Sequence, residues 1–519
     1  SAGGGRGHKK DIVLVNGAVE VVDCKGHVLC PGFIDLHSHA LDAVSERLRV
    51  QDGVTTHLEC EFGVHPFRQW REDQEKIGHL INYGATAGHI PARVKVFDHV
   101  DVGHLWTNEC CKHFIGSQTQ SARSKSDRKT RKSIVELLRE DLEQGALGIG
   151  MGVAYTPLAS HEEVYRVFEL AAQIGATVFI HTRGSTDATE DFSDFHEVFA
   201  DAAAAGCAVH VCHCTSTALH KLPLFLELVT NLRLNGVDVS TEAYSYDAGM
   251  TRLDAALFDK DWQRKQGITY HDLEWMETGE RLTEKRFNEC RKKGGNVLIR
   301  SIPPSAVDLA MRHPDVIVAS DAIPYENGQS HPRSAGCYAH VLGHFVRERK
   351  ILSLEAAINK MTLLPARRLE KMAPSMRHKG RVRVGADADI VVLDPRTVGS
   401  RATYKQPALP SKGIVHVLVN GTFVVRDGQL ARMFQEPSQN EPMRVVALEE
   451  KTKTDGRGAA RTMTTMTTPV PMPGRLVAGE GVSSSSSSAS SSSPLTAEAN
   501  SSSFSSLSVG ARRRLQSKL

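Results

Sequence analysis

His37 and His39 stand two residues apart at the end of a strand-like run, in HVLCPGFIDLHSHALDAV (27 to 44). Side chains alternate along a strand, so two imidazoles at this spacing leave the same face. Neutral imidazoles paired in this way chelate a borderline cation such as zinc. Three more metal-competent side chains occur in the same setting. His181 follows the apolar run TVFI, His213 follows VHVC, and Asp321 follows VIVAS. Among the 24 histidines of this chain one HxH pair carries little weight. Five such groups at the ends of four predicted strands are hard to explain by packing. They point to a metal centre where a cation activates water and Asp321 moves the proton, as base and then as acid.

Such a centre needs a scaffold that brings strand ends to one face. From 31 to about 370, short apolar runs alternate with helical stretches. ATVFIHTRG (176 to 184), CAVHVCHCT (207 to 215), VDVSTEAYSY (237 to 246), NVLIRSIPP (296 to 304) and DVIVASDA (315 to 322) read as strands; SIVELLREDLEQG and HEEVYRVFELAAQIG read as helices. Strands apolar on both faces and separated by helices predict parallel β/α units. Their number predicts an α/β fold built on a closed (β/α)8 barrel of the TIM type, with its chemistry at the C-terminal strand ends. The β-rich residues 10–30, broken at Asn16-Gly17 and Lys25-Gly26, and residues 371–432 predict a small β-sandwich domain formed from both chain ends. Residues 1–9 are expected to be disordered, and the opening SAGGGRG reads as a processed or fragment end. Residues 433–519 are expected to be a disordered serine-rich tail that buries too little apolar surface to order itself. The basic stretch SQTQSARSKSDRKTRK (117 to 132) reads as a solvated surface loop.

The bulk numbers exclude several function classes. The 519 residues are 40% hydrophobic and 24% charged with a net charge of +3, and no basic stripe is interleaved with aromatics, so nucleic acid is not expected as a partner. No apolar run reaches the length of a membrane span. Ten cysteines without CxxC pairs suit a reducing compartment. The final Ser517-Lys518-Leu519 matches a peroxisomal address, with a cytoplasmic location otherwise.

PGFIDLHSH, the HxR of His181 and Arg183, the strand-ending His213, ASDA with Asp321, and KGRVRVGADADIVVLD together resemble the amidohydrolase superfamily. Within it, GALGIGMGVAYTP (145 to 157), EAYSYDAGMT (242 to 251) and HPRSAGCYAHVLGHFVRE (331 to 348) are similar to the N-acyl-D-amino-acid deacylases, or D-aminoacylases. The resemblance covers about residues 10 to 432. It implies a metal-dependent barrel, usually with one or two zinc ions, held by His37, His39, His181, His213 and Asp321. It assigns Arg333 and Tyr244 or Tyr246 to the carboxylate end of a small-molecule substrate, with Arg183 as a further candidate. The implied reaction is hydrolysis of a linear amide, most simply that of an N-acyl-D-amino acid. A cyclic amidase like dihydroorotase or hydantoinase, a deaminase, and a non-catalytic relative are the alternatives.

The chain departs from the family pattern in three places. Phe62 of GVTTHLECEFG aligns with the family's metal-binding cysteine, Thr215 stands where a lysine is frequent, and the N-terminal β segment is short. Alternation along TTHLECEF would turn Leu58, Cys60 and Phe62 outward against helices and His57, Glu59 and Glu61 into the barrel. Buried carboxylates need a compensating charge, which a cation at the barrel mouth supplies. Glu61, nearest that end, is therefore expected to replace the thiolate. Glu59 is an alternative ligand or a partner to a histidine, and Cys60 is the remaining candidate. The alignment itself turns Phe62 inward, and a bulge after Glu59 would reconcile the two.

Overall fold

The computed structural model describes residues 12–15, 18–105, 114–115, 119–184, 192–434, 447–455, 458–466 and 472–481. Eight strands form the centre: β1 (Phe33–Asp35), β2 (Val54–His65), β3 (Asn82–Gly88), β4 (Ile149–Gly152), β5 (Thr177–His181), β6 (Ala208–Val211), β7 (Val239–Ala243) and β8 (Val316–Val318). Each pairs in parallel with the next in chain order. The ring closes where Ser38 pairs with Ala322 and the His39 amide donates to the Ala322 carbonyl at 2.8 Å. This is the expected (β/α)8 barrel.

The strand sequences explain the packing. Val178, Ile180, Val209, Val211, Val316 and Val318 face the surrounding helices, while Ile34, Leu58, Cys60, Phe179, Cys212 and Ile317 fill the interior. Both faces are buried, so the strands read as continuous apolar runs. Helix α1 (Ala43–Val50) starts at Asp42, whose side chain accepts from the amides of Val44 and Ser45. Helix α2 (His161–Ile174) is capped by Ser160 and stops at Gly175, where φ is +78°.

Both sides of the barrel segment contribute to an antiparallel sheet. Val28–Pro31 pairs with Ile390–Leu393, which pairs with Ile414–Val419, followed by Thr422–Arg426 and Gln429–Leu430. Ile12–Val15 and Ala18–Val21 form a separate hairpin. The N-terminal side thus gives this sheet one four-residue strand.

Three expectations are corrected. NVLIRSIPP is not a barrel strand; Asn296–Ile299 is the middle of a three-stranded antiparallel sheet inserted between β7 and β8. Val297 faces one apolar cluster, with Trp262 and Phe287, and Leu298 another, with Phe62 and Met250. Burial on both faces makes it indistinguishable in sequence from a barrel strand. The basic stretch 117–132 is not simply a loop. Gln120–Arg123 is helical, Arg128 opens a 16-residue helix, and the Arg93 Nε and Nη2 donate to the carbonyls of Ser121 and Ser124 at 2.7 and 2.6 Å. Finally, 472–481 lies along β3 rather than in an unstructured tail. The Tyr83 amide donates to the Arg475 carbonyl at 3.1 Å and the Val477 amide to the Tyr83 carbonyl at 2.6 Å. Leu476 and Val477 give that short stretch an apolar anchor. The expectations for 1–9, for the serine tract and for Ser517-Lys518-Leu519 fall outside the described residues. No helix among the described residues is long and apolar enough to cross a membrane.

Candidate metal centre

The barrel brings His37, His39, His181, His213, Asp321 and Glu61 to the C-terminal mouth. Glu61 joins the four histidines. Its Oε2 lies 3.2 Å from His37 Nε2 and 3.1 Å from His39 Nε2. Its Oε1 lies 2.9 Å from both His181 Nδ1 and His213 Nε2. Asp321 Oδ1 is 3.5 and 3.6 Å from the Nε2 atoms of His37 and His39. The two oxygens of one carboxylate therefore each face a pair of imidazoles.

The opposite edges of the imidazoles decide which atoms are free for a cation. His37 Nδ1 donates to Glu242 at 2.5 Å, and His39 Nδ1 donates to Glu59 at 2.6 Å. This leaves the two Nε2 lone pairs 3.2 Å apart, turned toward two more acceptors. Lone pairs so placed are stable together only around a positive charge, and the donor set of imidazole and carboxylate suits zinc. Without one, protons fill the role. Burial by itself would lower the His37 pKa, but the charges of Glu61, Asp321 and Glu242 outweigh it and hold it well above its ordinary value. Burial likewise works against His39 protonation, yet Glu59 lifts it to about 9. Burial would raise Glu61, but the charge of His37 and the hydrogen bonds from His181, His213 and His37 hold it well below the usual carboxylate range. The residues fit a cation.

Strand β2 reaches this arrangement in a way alternation did not foresee. Leu58 and Cys60 point into the barrel with Ile34 and Phe179, and Phe62 stacks on His39, ring centroids 4.6 Å apart. His57 points outward to Glu46 of α1, 3.3 Å away. The expected faces are thus exchanged. Glu61 still arrives at the centre because the pairing of β2 with β3 slips between Glu59 and Val64. Cys60 instead packs in the interior apolar cluster, where burial first, then Glu59, pushes its thiol well up. Glu59 supports His39 and accepts from His104 Nε2 at 2.7 Å and from the Phe62 amide at 3.0 Å. Backbone strain gathers here too, since both His213 and Asp321 have positive φ, +31° and +50°.

The substrate-binding expectations divide. Tyr244 lines the pocket over the centre, and the Arg333 guanidinium lies 4.5 Å above its ring. Arg333 is fully buried, with Nη2 2.8 Å from Asp321 Oδ2, Nε donating to the Asp321 carbonyl at 2.6 Å, and Nη1 without an acceptor. Tyr246 is turned away from the pocket, stacked on His340 at 4.6 Å. Arg183 is spent on the protein: Nε and Nη2 bind Glu197 at 3.0 and 2.8 Å, and Nη1 donates to the carbonyls of Pro157 and Ala159. Neither side chain lines the pocket, and Arg333 lies behind Asp321 and Tyr244 rather than in the lining itself. Unforeseen were Glu242 with His210 behind it at 3.1 Å, His104, and Tyr155, whose hydroxyl meets Thr251 at 2.9 Å in the pocket wall. Glu242 opens the quoted EAYSYDAGMT, and a carboxylate near the end of a barrel strand was the available signal.

The chain is 33% identical to the N-acyl-D-glutamate deacylase of Alcaligenes xylosoxydans xylosoxydans over 336 residues, 61% of this chain and 64% of that protein. The alignment thus spans just under two thirds of that relative's length. The solved N-acyl-D-glutamate deacylase from Bordetella bronchiseptica, complexed with zinc and a phosphonate mimic of the tetrahedral intermediate, superposes with a TM-score of 0.62 at 25% identity, covering 79% of this chain and 90% of that one. A D-aminoacylase structure shares the fold, with a TM-score of 0.63 at 22% identity over 80% of this chain and 89% of that one. The profile of the amidohydrolase family matches residues 124–425, more than half of the sequence, and the chain belongs to that family.

Proposed function

We propose that this chain is a zinc-dependent deacylase of N-acyl-D-amino acids. The observation that carries the reading is Arg333. A buried guanidinium beside the centre, holding Asp321 through Nη2 and Nε and leaving Nη1 without an acceptor, suits an anionic substrate. The relatives that match bear names of the same chemistry. A zinc ion held by His37, His39, His181, His213, Glu61 and Asp321 would supply Lewis acidity toward an amide carbonyl and toward water. Asp321 takes the proton of the attacking water and delivers it to the departing nitrogen. Arg333 fixes Asp321 in place for both transfers; it lies directly behind Asp321 and Tyr244, which line the pocket, and its unspent Nη1 favours an anionic substrate from there.

The zinc-loaded protein should hydrolyse N-acetyl-D-amino acids, leave the L-enantiomers intact, and leave hydantoin and dihydroorotate closed. Ring opening of either cyclic amide without cleavage of any linear D-amide would overturn the reading in favour of a cyclic amidase.

A further inference from the structure

We propose that the amino-acid side chain of the substrate is uncharged and apolar, and that Met250, Leu257 and Ile299 select it. This rests on the deacylase reading and departs from the D-glutamate substrate named for a relative that matches at 33% identity.

The inserted sheet builds one wall of the pocket. Met250 lies on Gly249–Arg252, Ile299 ends Asn296–Ile299, and Leu257 lies on the short helix Ala256–Phe258. Leu219 and Ile323 continue the apolar lining. Met250 and Ile323 belong to the apolar cluster of Phe62, Tyr155 and Leu298, and Leu257 packs against it, so this wall is backed by hydrocarbon. The polar groups in the wall, Thr251 and Gln266 among them, are neutral, and no lysine or arginine lines the pocket among the described residues. Arg333 stands behind Asp321 and Tyr244 rather than in the lining, and in the deacylase reading its charge answers the substrate α-carboxylate.

A second carboxylate, on a glutamate or aspartate side chain, would therefore enter an apolar wall unpaired, close to the negative Glu61 and Asp321. Burying a charge without a partner is strongly unfavourable, whereas an alkyl or thioether side chain gains by leaving water. A hydrocarbon wall would discriminate in that direction.

The test is kcat/KM of the zinc-loaded protein for N-acetyl-D-methionine, N-acetyl-D-leucine and N-acetyl-D-glutamate. The two neutral substrates should exceed the acidic one by at least about 100-fold. Leu257→Arg, at a half-buried position where a long side chain keeps its head near water, should narrow that ratio at least about tenfold by giving the acid a partner. Equal or better use of N-acetyl-D-glutamate by the unaltered protein would overturn the inference and leave the deacylase reading standing. A soluble Leu257→Arg protein with an unchanged ratio would remove Leu257 from the selecting wall. Hydrolysis of none of the three, with zinc bound, would overturn the deacylase reading itself.

Discussion

Glu61 and Asp321 are both carboxylates at the same centre, yet their surroundings assign them different work. Glu61 is enclosed by four imidazole nitrogens, 2.9 to 3.2 Å from its oxygens, and its central charge makes the set attractive to a cation. Glu61→Gln should therefore lose most bound zinc, by metal analysis of the folded protein. Asp321 is the more exposed of the two and is held on one side by Arg333, leaving its other oxygen toward the centre. Asp321→Asn should keep near-normal zinc and lose about three orders of magnitude in kcat, because an amide accepts no proton. Turnover near that of the unaltered protein would remove Asp321 as the base. The candidate ligands at the strand ends were legible because His181, His213 and Asp321 each follow an apolar run and His37 and His39 share one. Glu242, His210 and His104 were not, because what they do depends on which strand or loop stands behind a given imidazole, and one-dimensional spacing carries no such information.

At the scale of elements, the irregularity in β2 is what lets a 12-residue strand bring Glu61 to the candidate metal centre. Regular alternation would put Glu61 on the face of His57, away from the metal. Gly63 permits the departure, with φ of +65° and its Cα pressed against β3: an added Cβ would lie 2.7 Å from the Gly88 backbone and from the Thr86 carbonyl. Neither the conformation nor the space suits a side chain. Gly63→Ala is expected to lower the unfolding midpoint and the zinc content together, since relieving the clash must shift the segment that carries Glu61. A lowered midpoint with full zinc in the folded fraction would show that Glu61 is positioned independently of the bulge. The barrel itself was legible, because alternating apolar runs and amphipathic helices have few other solutions. The bulge was visible only as a conflict between alternation and alignment, since register belongs to a pair of strands and not to one.

For the whole molecule, the metal centre occupies one end of the barrel, and the chain must also close the other. Residues of three regions meet in the interior cluster: Ile34, Leu58 and Phe179 from the strands, Leu369, Ala373 and Met376 from the helical stretch after the barrel, and Val477 from the last described segment. Val477 is 2% exposed and hydrogen-bonded through its amide to Tyr83, at the start of β3 and so away from the mouth. The same segment reaches the β-sheet domain, because Asn420 Nδ2 donates to the Pro473 carbonyl at 2.7 Å and to Asn82 Oδ1 at 2.8 Å. Its composition hid this: two adjacent apolar residues in a polar, proline- and glycine-rich stretch give no periodicity to read. Val477→Asp would place a carboxylate among hydrocarbon, with a cost on the order of 3 kcal/mol or more. The unfolding midpoint should fall by several degrees while the zinc stoichiometry of the folded protein stays unchanged, because the ligands lie at the opposite strand ends. Thermal unfolding with metal analysis on the same samples separates the two quantities. An unaltered midpoint would mean that residues 472–481 do not close the barrel in solution, and a parallel loss of zinc would mean that the two ends are coupled through the strands.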